Sequence, residues 1–143
     1  MIRKLEEKDR QLYIEMAREF YHSDAVLHPV PDSHFEKTAA EALSGGGCAE
    51  IFILEYDSAP AGYALTARSF SQEAGGFVVW IEEIYIREPY RSKGLGREFF
   101  NYIEKEKDGD TVRIRLEVEE RAQSLYRQLG YEVLDYVQMI KDF

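Results

Sequence analysis

The sequence predicts a mixed α/β domain (an α+β arrangement) in which helices pack against one central sheet. Three observations lead to this fold class. Strand-like and helix-like segments alternate, the middle of the chain contains consecutive hairpin-connected strands, and a glycine-containing turn joins the strongest strand to an amphipathic helix. With 143 residues, of which 45% are hydrophobic and 31% charged, we expect residues 1–143 to form a single domain.

The first half of the chain is predicted to contain a strand, two helices and a hairpin. Leu12, Met16 and Phe20 have helical spacing, and a second helix begins near Ser33, a favourable N-cap residue. Two apolar, β-rich runs are joined around Asp57. The predicted elements are a strand over 1–5, helices over 9–22 and 33–44, and strands over 49–56 and 59–68.

The second half is predicted to alternate strands and helices. Its strongest strand precedes an amphipathic helix in which Leu95, Phe99, Tyr102 and Ile103 share one face. The predicted elements are a strand over 77–86, a helix over 95–107, a strand over 111–118, a helix over 121–129 and final strands within 133–140. We therefore expect about four helices around one sheet.

Composition limits the classes of partner. The formal net charge of −9 argues against nucleic acid, whose phosphates require a basic surface, and it fits a cationic substrate or simple solubility. The longest apolar run, residues 77–81, is too short to cross a membrane, so no membrane partner is expected. With Cys48 as the only cysteine and no apolar signal core, a cytoplasmic protein is expected.

A glycine-containing turn follows the strongest strand and opens the next helix. A helix N-terminus offers unpaired backbone N–H groups and a partial positive charge, and glycines allow phosphate to approach closely. Arg87 and Arg97 flank the turn and add to the positive charges of Arg91 and Lys93 within it. These features favour an anionic ligand, although an ordinary strand-to-helix turn has the same glycines. The turn consists of Arg91, Ser92, Lys93, Gly94, Leu95 and Gly96.

Two linked motifs resemble the GNAT superfamily of N-acetyltransferases. The turn matches the family pattern Arg/Gln-x-x-Gly-x-Gly/Ala after a strand. About 30 residues later, the segment from Ala122 to Tyr131 is similar to the family's Ala-x-x-Leu-Tyr-x-x-x-Gly-Phe/Tyr helix. The close resemblance covers residues 77–131. It implies the GNAT fold, a mixed and mostly antiparallel sheet that splays apart between its fourth and fifth strands.

The resemblance also implies a cofactor and its binding residues. Acetyl-CoA would lie where the two strands splay, with its pyrophosphate on the backbone of residues 91–96. The main chain of Ile84, Tyr85 and Ile86 would pair with the pantetheine arm. Glu119 replaces an Asn that the family often uses near the pantetheine, so its contact with the coenzyme is the least defined. No metal is expected, because the spacing of the three histidines matches no common ligand pattern.

Tyr126 and Glu82 are the predicted catalytic residues. By resemblance, Tyr126 would contact the coenzyme and protonate the departing thiolate, whereas its helical spacing alone also fits a core position. Glu82 aligns with an acidic residue that activates the amine in spermidine/spermine acetyltransferases. A structural salt bridge is the alternative for Glu82 and the favoured role for Glu83. Strand alternation predicts that Glu82 shares a face with Trp80 and Ile84, and that Glu83 lies on the other face.

These features together predict an acetyl-CoA-dependent N-acetyltransferase that acts by direct attack of an amine in a ternary complex. We expect a primary amine of a small cationic molecule, of the polyamine or amino-sugar type. The alternatives are acetylation of a protein N-terminus or lysine, and an acetyl-CoA-binding regulatory protein without turnover. The family resemblance also allows a homodimer.

Overall fold

The computed structural model describes residues 1–24, 26, 28–118 and 120–143, apart from the side chain of Arg121. Three short 3₁₀ turns connect the main elements. Within these residues, no helix combines the length and the apolar character that crossing a membrane requires. The strands are β1 (Ile2–Lys4), β2 (Ala49–Tyr56), β3 (Ala59–Ser71), β4 (Gly76–Ile86) and β5 (Thr111–Leu116). The helices are α1 (Arg10–Tyr21), α2 (Asp32–Ser44), α3 (Leu95–Glu106) and α4 (Gln123–Gln128).

The five strands form one sheet in the order β1-β2-β3-β4-β5. All neighbours are antiparallel except β4 and β5, which are parallel. The parallel pairing ends where Ile81 meets Leu116, yet β4 continues to Ile86. The predicted fold class is therefore confirmed, including the divergence of the fourth and fifth strands.

Two apolar clusters cover the two faces of the sheet. Alternation along β2 sends Ile51 and Ile53 to the face that α1 and α2 cover, and Phe52 and Leu54 to the face that α3 covers. Each of these four residues is at most 2% exposed. Because both faces are buried, β2, β3 and β4 consist largely of apolar residues, and their positions in the sheet are fixed by packing.

A β-bulge in β4 changes the predicted direction of its side chains. Leu65 of β3 pairs with Glu83, and the next residue, Thr66, pairs with Ile81, so Glu82 is the additional residue on β4. Ile81 and Ile84 consequently both pack in the α3 cluster. The prediction that Glu82 shares a face with Ile84 is therefore wrong, because one inserted residue reverses the alternation between them, whereas Trp80 and Glu82 do line one cavity.

The predicted final strands within 133–140 are also wrong. The structure assigns no helix or strand to residues 131–143. Val137 and Met139 are 90% and 93% exposed, so their side chains have almost no contact with the rest of the chain. A strand needs a neighbour to satisfy its backbone groups, and the segment finds none within the described residues.

The β2–β3 hairpin and one glycine set the geometry of the central strands. Asp57 and Ser58 have φ values of 48° and 64°, which is the left-handed conformation of a two-residue hairpin turn. At Gly62, a Cβ atom would lie 2.1 Å from the carbonyl oxygen of Tyr85. Only glycine therefore fits at this point of β3, beside the last residues of β4.

Candidate functional site

The turn between β4 and α3 has the backbone geometry that an anion requires. Gly94 is the N-cap residue of α3, with φ at 84°, and no side chain caps this helix end. The first backbone N–H groups of the helix therefore lack intrahelical and side-chain partners. A Cβ on Gly94 would meet nothing within 4 Å, and a Cβ on Gly96 only Ile86 Cδ1 at 4.0 Å. The turn is consequently open to a ligand.

Packing of α3 holds this turn in place. Leu95 begins the helix and is 2% exposed, and Phe99, Phe100 and Ile103 continue the same buried face. These residues lie at the i, i+4, i+5 and i+8 positions that one face of an amphipathic helix requires. The helix N-terminus is therefore anchored to the sheet through its first residue.

Of the four basic residues that the sequence places around the turn, three lie near it and are exposed, and the fourth, Arg87, does not remain free. The Arg91 Nε donates to the Ile86 carbonyl oxygen at 3.1 Å, and Lys93 Nζ lies 5.0 Å from the centre of the Tyr56 ring. Arg97 is exposed on the first turn of α3. Arg87 instead binds α1, through Glu15 and Glu19 with Nη2–oxygen distances of 2.8 Å.

The last residues of β4 present one free backbone edge. Ile84, Tyr85 and Ile86 pair with β3 on one side, while the pairing with β5 has ended at Ile81. Within the described part of the sheet, the other edge of these three residues has no strand partner. The predicted coenzyme-binding residues of β4 thus adjoin the open turn, and Ile86 contacts both regions.

Glu82, the additional residue at the bulge, lines a cavity of about 330 Å³. Glu82 is an exposed residue, but the protein around its carboxyl group still reduces its hydration. This partial desolvation, followed by the negative charges of Glu117 and Glu83, raises the pKa of Glu82 above its ordinary value. The cavity is lined by Ala67, Arg68, Ser69, Trp80, Ile81, Glu82, Glu117 and Gln138.

Glu83, the next residue along β4, is held by two tyrosines. The Tyr21 hydroxyl donates to one carboxylate oxygen at 2.5 Å, and the Tyr63 hydroxyl donates to the other at 2.6 Å. Burial, together with the charge of Glu83, raises the pKa of both tyrosines. The salt bridge that the sequence favours for Glu83 is absent among the described residues. Its two tyrosine partners lie 62 and 20 positions earlier in the chain, and no sequence pattern indicates contacts over such separations.

Tyr126 lies in α4 and packs on the α3 side of the sheet. Its ring centre is 5.4 Å from that of Phe100 and 6.2 Å from that of Tyr131. Burial raises the pKa of Tyr126, so its hydroxyl stays protonated at neutral pH. Tyr126 belongs to the apolar cluster under α3 and does not line the cavity that contains Glu82.

The remaining candidate residues contribute little to this geometry. Glu119 lies outside the described residues, and Glu117 lines the cavity that contains Glu82. His22 Nδ1 is 2.7 Å from the Arg18 carbonyl oxygen, which is a local contact at the end of α1. No group of three or more potential metal ligands occurs among the described residues.

Comparisons with known proteins agree with this architecture. A comparison with curated proteins finds no match. Among solved structures, a possible acetyltransferase from Clostridium difficile 630 has a TM-score of 0.86 at 20% identity, over 100% of this chain and 97% of that chain. AAC(6')-Iy in complex with the bisubstrate analog CoA-S-monomethyl-acetylneamine has a TM-score of 0.80 at 15% identity, over 100% and 97%.

Glucosamine-6-phosphate N-acetyltransferase from Arabidopsis thaliana has a TM-score of 0.74 at 22% identity, over 100% of this chain and 97% of that chain. At these identities the similarities establish the fold. The family model described as "Acetyltransferase (GNAT) family" matches residues 10–131, which is most of the chain. The predicted enzyme class, an acetyl-CoA-dependent N-acetyltransferase, is confirmed at the level of the family. The chain belongs to the GNAT family of acetyltransferases.

Proposed function

We propose that the protein transfers the acetyl group of acetyl-CoA to a primary amine of a small cationic molecule, of the polyamine or amino-sugar type. The single observation that carries this proposal is an arrangement around the bulge in β4. On its carboxyl side lie an open backbone edge and an uncapped helix N-terminus, and Glu82 at the bulge lines an acidic cavity. The first region suits an anionic coenzyme, and the second suits a cationic amine.

The coenzyme region binds mainly through backbone atoms. The N-terminus of α3 offers N–H groups and a partial positive charge to a pyrophosphate, while Arg91, Lys93 and Arg97 supply further positive charge. The free edge of residues 84–86 can accept an amide-containing arm as a strand accepts its neighbour. The CoA-derived analog bound to the structurally similar AAC(6')-Iy supports a coenzyme of this kind.

The amine region is acidic and small. Glu82 and Glu117 both line the cavity of about 330 Å³, and the net charge of −9 adds a field that attracts cations. A volume of this size suits a small molecule, since typical small-ligand pockets begin at about 300 Å³. The acetylated neamine in the AAC(6')-Iy complex supports the amino-sugar class.

The proposed chemistry assigns one proton transfer to each of two residues. Acetyl-CoA supplies an acetyl group that is activated as a thioester. Glu82 accepts a proton from the ammonium, which otherwise stays protonated near neutral pH with a pKa of about 10.4. The amine nitrogen then bonds to the acetyl carbon as the carbon–sulfur bond breaks, and the nitrogen loses its second proton to solvent. Tyr126 gives its hydroxyl proton to the departing sulfur and regains a proton from solvent.

An acceptor screen tests the proposed function directly. We expect release of free thiol from acetyl-CoA above background hydrolysis with polyamines or amino sugars, because these small molecules combine a cationic amine with a size that suits the acidic cavity. Amino acids and short peptides complete the panel. Acetylation of peptides alone would instead assign the protein to peptide N-terminal or lysine acetylation. Confirmed acetyl-CoA binding with no product from any amine would contradict the proposal.

Gly94→Asp tests the coenzyme region. The substitution places an anion beside the pyrophosphate, and we expect acetyl-CoA to bind at least about tenfold more weakly, a change of about 1.4 kcal/mol. Gly45→Asp is the matched control, because Gly45 also has a left-handed backbone and open space around its Cβ. Calorimetric titration of both variants measures the effect. Equal dissociation constants in the two variants would exclude the turn as the pyrophosphate site.

Tyr126→Phe tests the proton donor. Removing the hydroxyl should lower kcat by about 10²-fold or more, the usual contribution of a general acid, and leave the Kd of acetyl-CoA within about twofold. Tyr131→Phe is the control, since Tyr131 packs beside Tyr126 and also loses only a hydroxyl. Steady-state kinetics with the best acceptor gives the comparison. A wild-type kcat in Tyr126→Phe would limit Tyr126 to a packing role.

The pH dependence of kcat/KM tests Glu82. Glu82 accepts a proton only when it is ionised, so kcat/KM should fall at acidic pH. Because the pKa of Glu82 is raised, this acidic limb of the pH profile should lie above the ordinary pKa range of a glutamate. Glu117→Gln removes one charge that raises this pKa, and the limb should move to lower pH. Glu41→Gln, on α2, should leave the limb unchanged. Glu82→Gln should abolish the limb and reduce kcat/KM by about 10²-fold or more. An unshifted limb in Glu117→Gln would contradict the role of Glu82.

A further inference from the structure

Two arginines of β5 lie on the sheet face opposite α3. Ile114 and Leu116 pack in the cluster under α3, so alternation along β5 sends Arg113 and Arg115 to the other face. In the parallel register, Arg115 is the partner of Trp80 on β4. We call Arg113 and Arg115 the β5 arginine pair. Their side chains are 32% and 24% exposed, so both guanidinium groups are partly withdrawn from water and still within reach of a ligand.

The hydrogen bonds of the β5 arginine pair are incomplete. Arg113 Nη1 and Arg115 Nε are buried and have no hydrogen-bond partner among the described residues. Glu73, in the turn between β3 and β4, lies 3.6 Å from Arg113 Nη1 and 3.7 Å from Arg115 Nη2, which are distances of an ion pair but not of a hydrogen bond. Arg10 and Arg87, by comparison, approach their carboxylates to 2.7 and 2.8 Å. Buried donors are almost always satisfied in native proteins, so the pair has capacity for a closer acceptor.

Trp80 links the β5 arginine pair to the cavity that contains Glu82. The guanidinium carbon of Arg115 lies 5.4 Å from the centre of the Trp80 ring, within the range of a cation–π contact, and Trp80 lines the cavity. Trp80 and Glu82 are two positions apart, about 6.6 Å along a regular strand, and β5 lies about 4.8 Å to the side. One sugar ring with an acidic substituent is long enough to reach from Glu82 to Arg115.

We propose that the β5 arginine pair binds an anionic group, a phosphate or a carboxylate, of the same acceptor molecule whose amine lies at Glu82. This assignment rests on the proposed function and narrows the acceptor to an amino sugar with an acidic substituent, because a polyamine has no anion to offer. Two guanidinium groups on one face present several N–H donors, which suits the oxygens of either anion. The anion takes the place of Glu73 and accepts the shorter hydrogen bonds that Glu73 does not.

The charges on the two sides of Trp80 are opposite. Glu82 and Glu117 make the cavity negative. The β5 arginine pair carries two positive charges, against which the described residues set only the carboxylate of Glu73. An acceptor with an amine at one end and an anion at the other is therefore oriented, because each end is attracted to one side and repelled from the other.

The fluorescence of Trp80 measures binding at this site, because Trp80 is the only tryptophan of the chain. With saturating coenzyme A present, the protein is titrated with glucosamine, glucosamine 6-phosphate, the matching aminouronic acid and inorganic phosphate. We expect the phosphate ester or the acid to bind at least about tenfold more tightly than glucosamine. The tighter of the two identifies the anion. Equal Kd values for the three amino sugars would overturn the proposal, and binding of inorganic phosphate in that case would limit the pair to a free ion.

Three variants separate a binding role from a structural one. Arg115→Gln should weaken binding of the preferred anionic sugar at least about tenfold and leave that of glucosamine within about twofold. Glu73→Gln should strengthen binding of the anionic sugar about threefold, since it removes the competing carboxylate. Glu73 is 62% exposed, so its substitution leaves the packing intact. Arg10→Gln is the matched control, because Arg10 is 27% exposed and pairs with Glu7, and its Kd values should equal those of the wild type.

Kinetics distinguish failure of the anion site from failure of the proposed function. The kcat/KM for the anionic sugar should exceed that for glucosamine by about tenfold or more, and Arg115→Gln should bring the ratio close to one. An unchanged ratio in Arg115→Gln, with the variant folded, would contradict the anion site. Absence of turnover with every amine, together with the expected pattern of Kd values, would contradict acetyl transfer and support the anion site.

Discussion

The separation of β4 from β5 is the constraint on which the candidate site depends. Parallel strands normally pair along their full length, and an unpaired strand edge in the middle of a domain leaves backbone groups without partners. Here the pairing ends at Ile81, and β4 continues for five more residues beside an open edge. The bulge at Glu82 occurs at the same point. Bulges bend and twist a strand, and β5 itself ends at Leu116, so the last residues of β4 continue without a strand on this edge.

Packing on both faces fixes β4 in this position. Ile84 and Ile86 contact the cluster under α3, while Tyr85 packs against the cluster under α1 and α2. The Tyr85 hydroxyl also donates to Glu19 at 3.0 Å, and Arg87 pairs with the same carboxylate. The diverging part of β4 is therefore held by side chains from two helices. A coenzyme arm that pairs with its free edge would meet a preorganised strand.

The sequence predicts the turn before α3 better than the surroundings of Glu82 and Glu83, for a physical reason. Helix α3 and its turn depend on local features: an apolar stripe, a glycine with a left-handed backbone, and a strand that precedes them. The carboxylate of Glu83, by contrast, binds Tyr21 and Tyr63, which lie 62 and 20 positions away. Such contacts arise only from the assembled fold. The sequence therefore could not indicate them.

The bulge and the final segment illustrate two further limits of sequence patterns. An alternating strand pattern contains no sign of one inserted residue, although that residue reverses every side chain beyond it. The pattern of 133–140 is strand-like, and its residues do have strand propensity. A strand, however, also requires a neighbour, and the described part of the chain offers this segment none. Propensity without a partner predicts the wrong element.

One inserted residue also explains how two adjacent glutamates acquire different roles. Without the bulge, strand alternation would place Glu82 and Glu83 on opposite faces, and Glu82 would share its face with Ile84, under α3. The additional residue allows Ile81 and Ile84 to fill that apolar face together, so Glu82 is free to line the polar cavity. Glu83 is fixed by two tyrosine hydroxyls, whereas no hydrogen bond from a described residue restrains Glu82. The carboxylate that is free to exchange a proton is thus the one at the bulge, beside the point where β4 leaves β5.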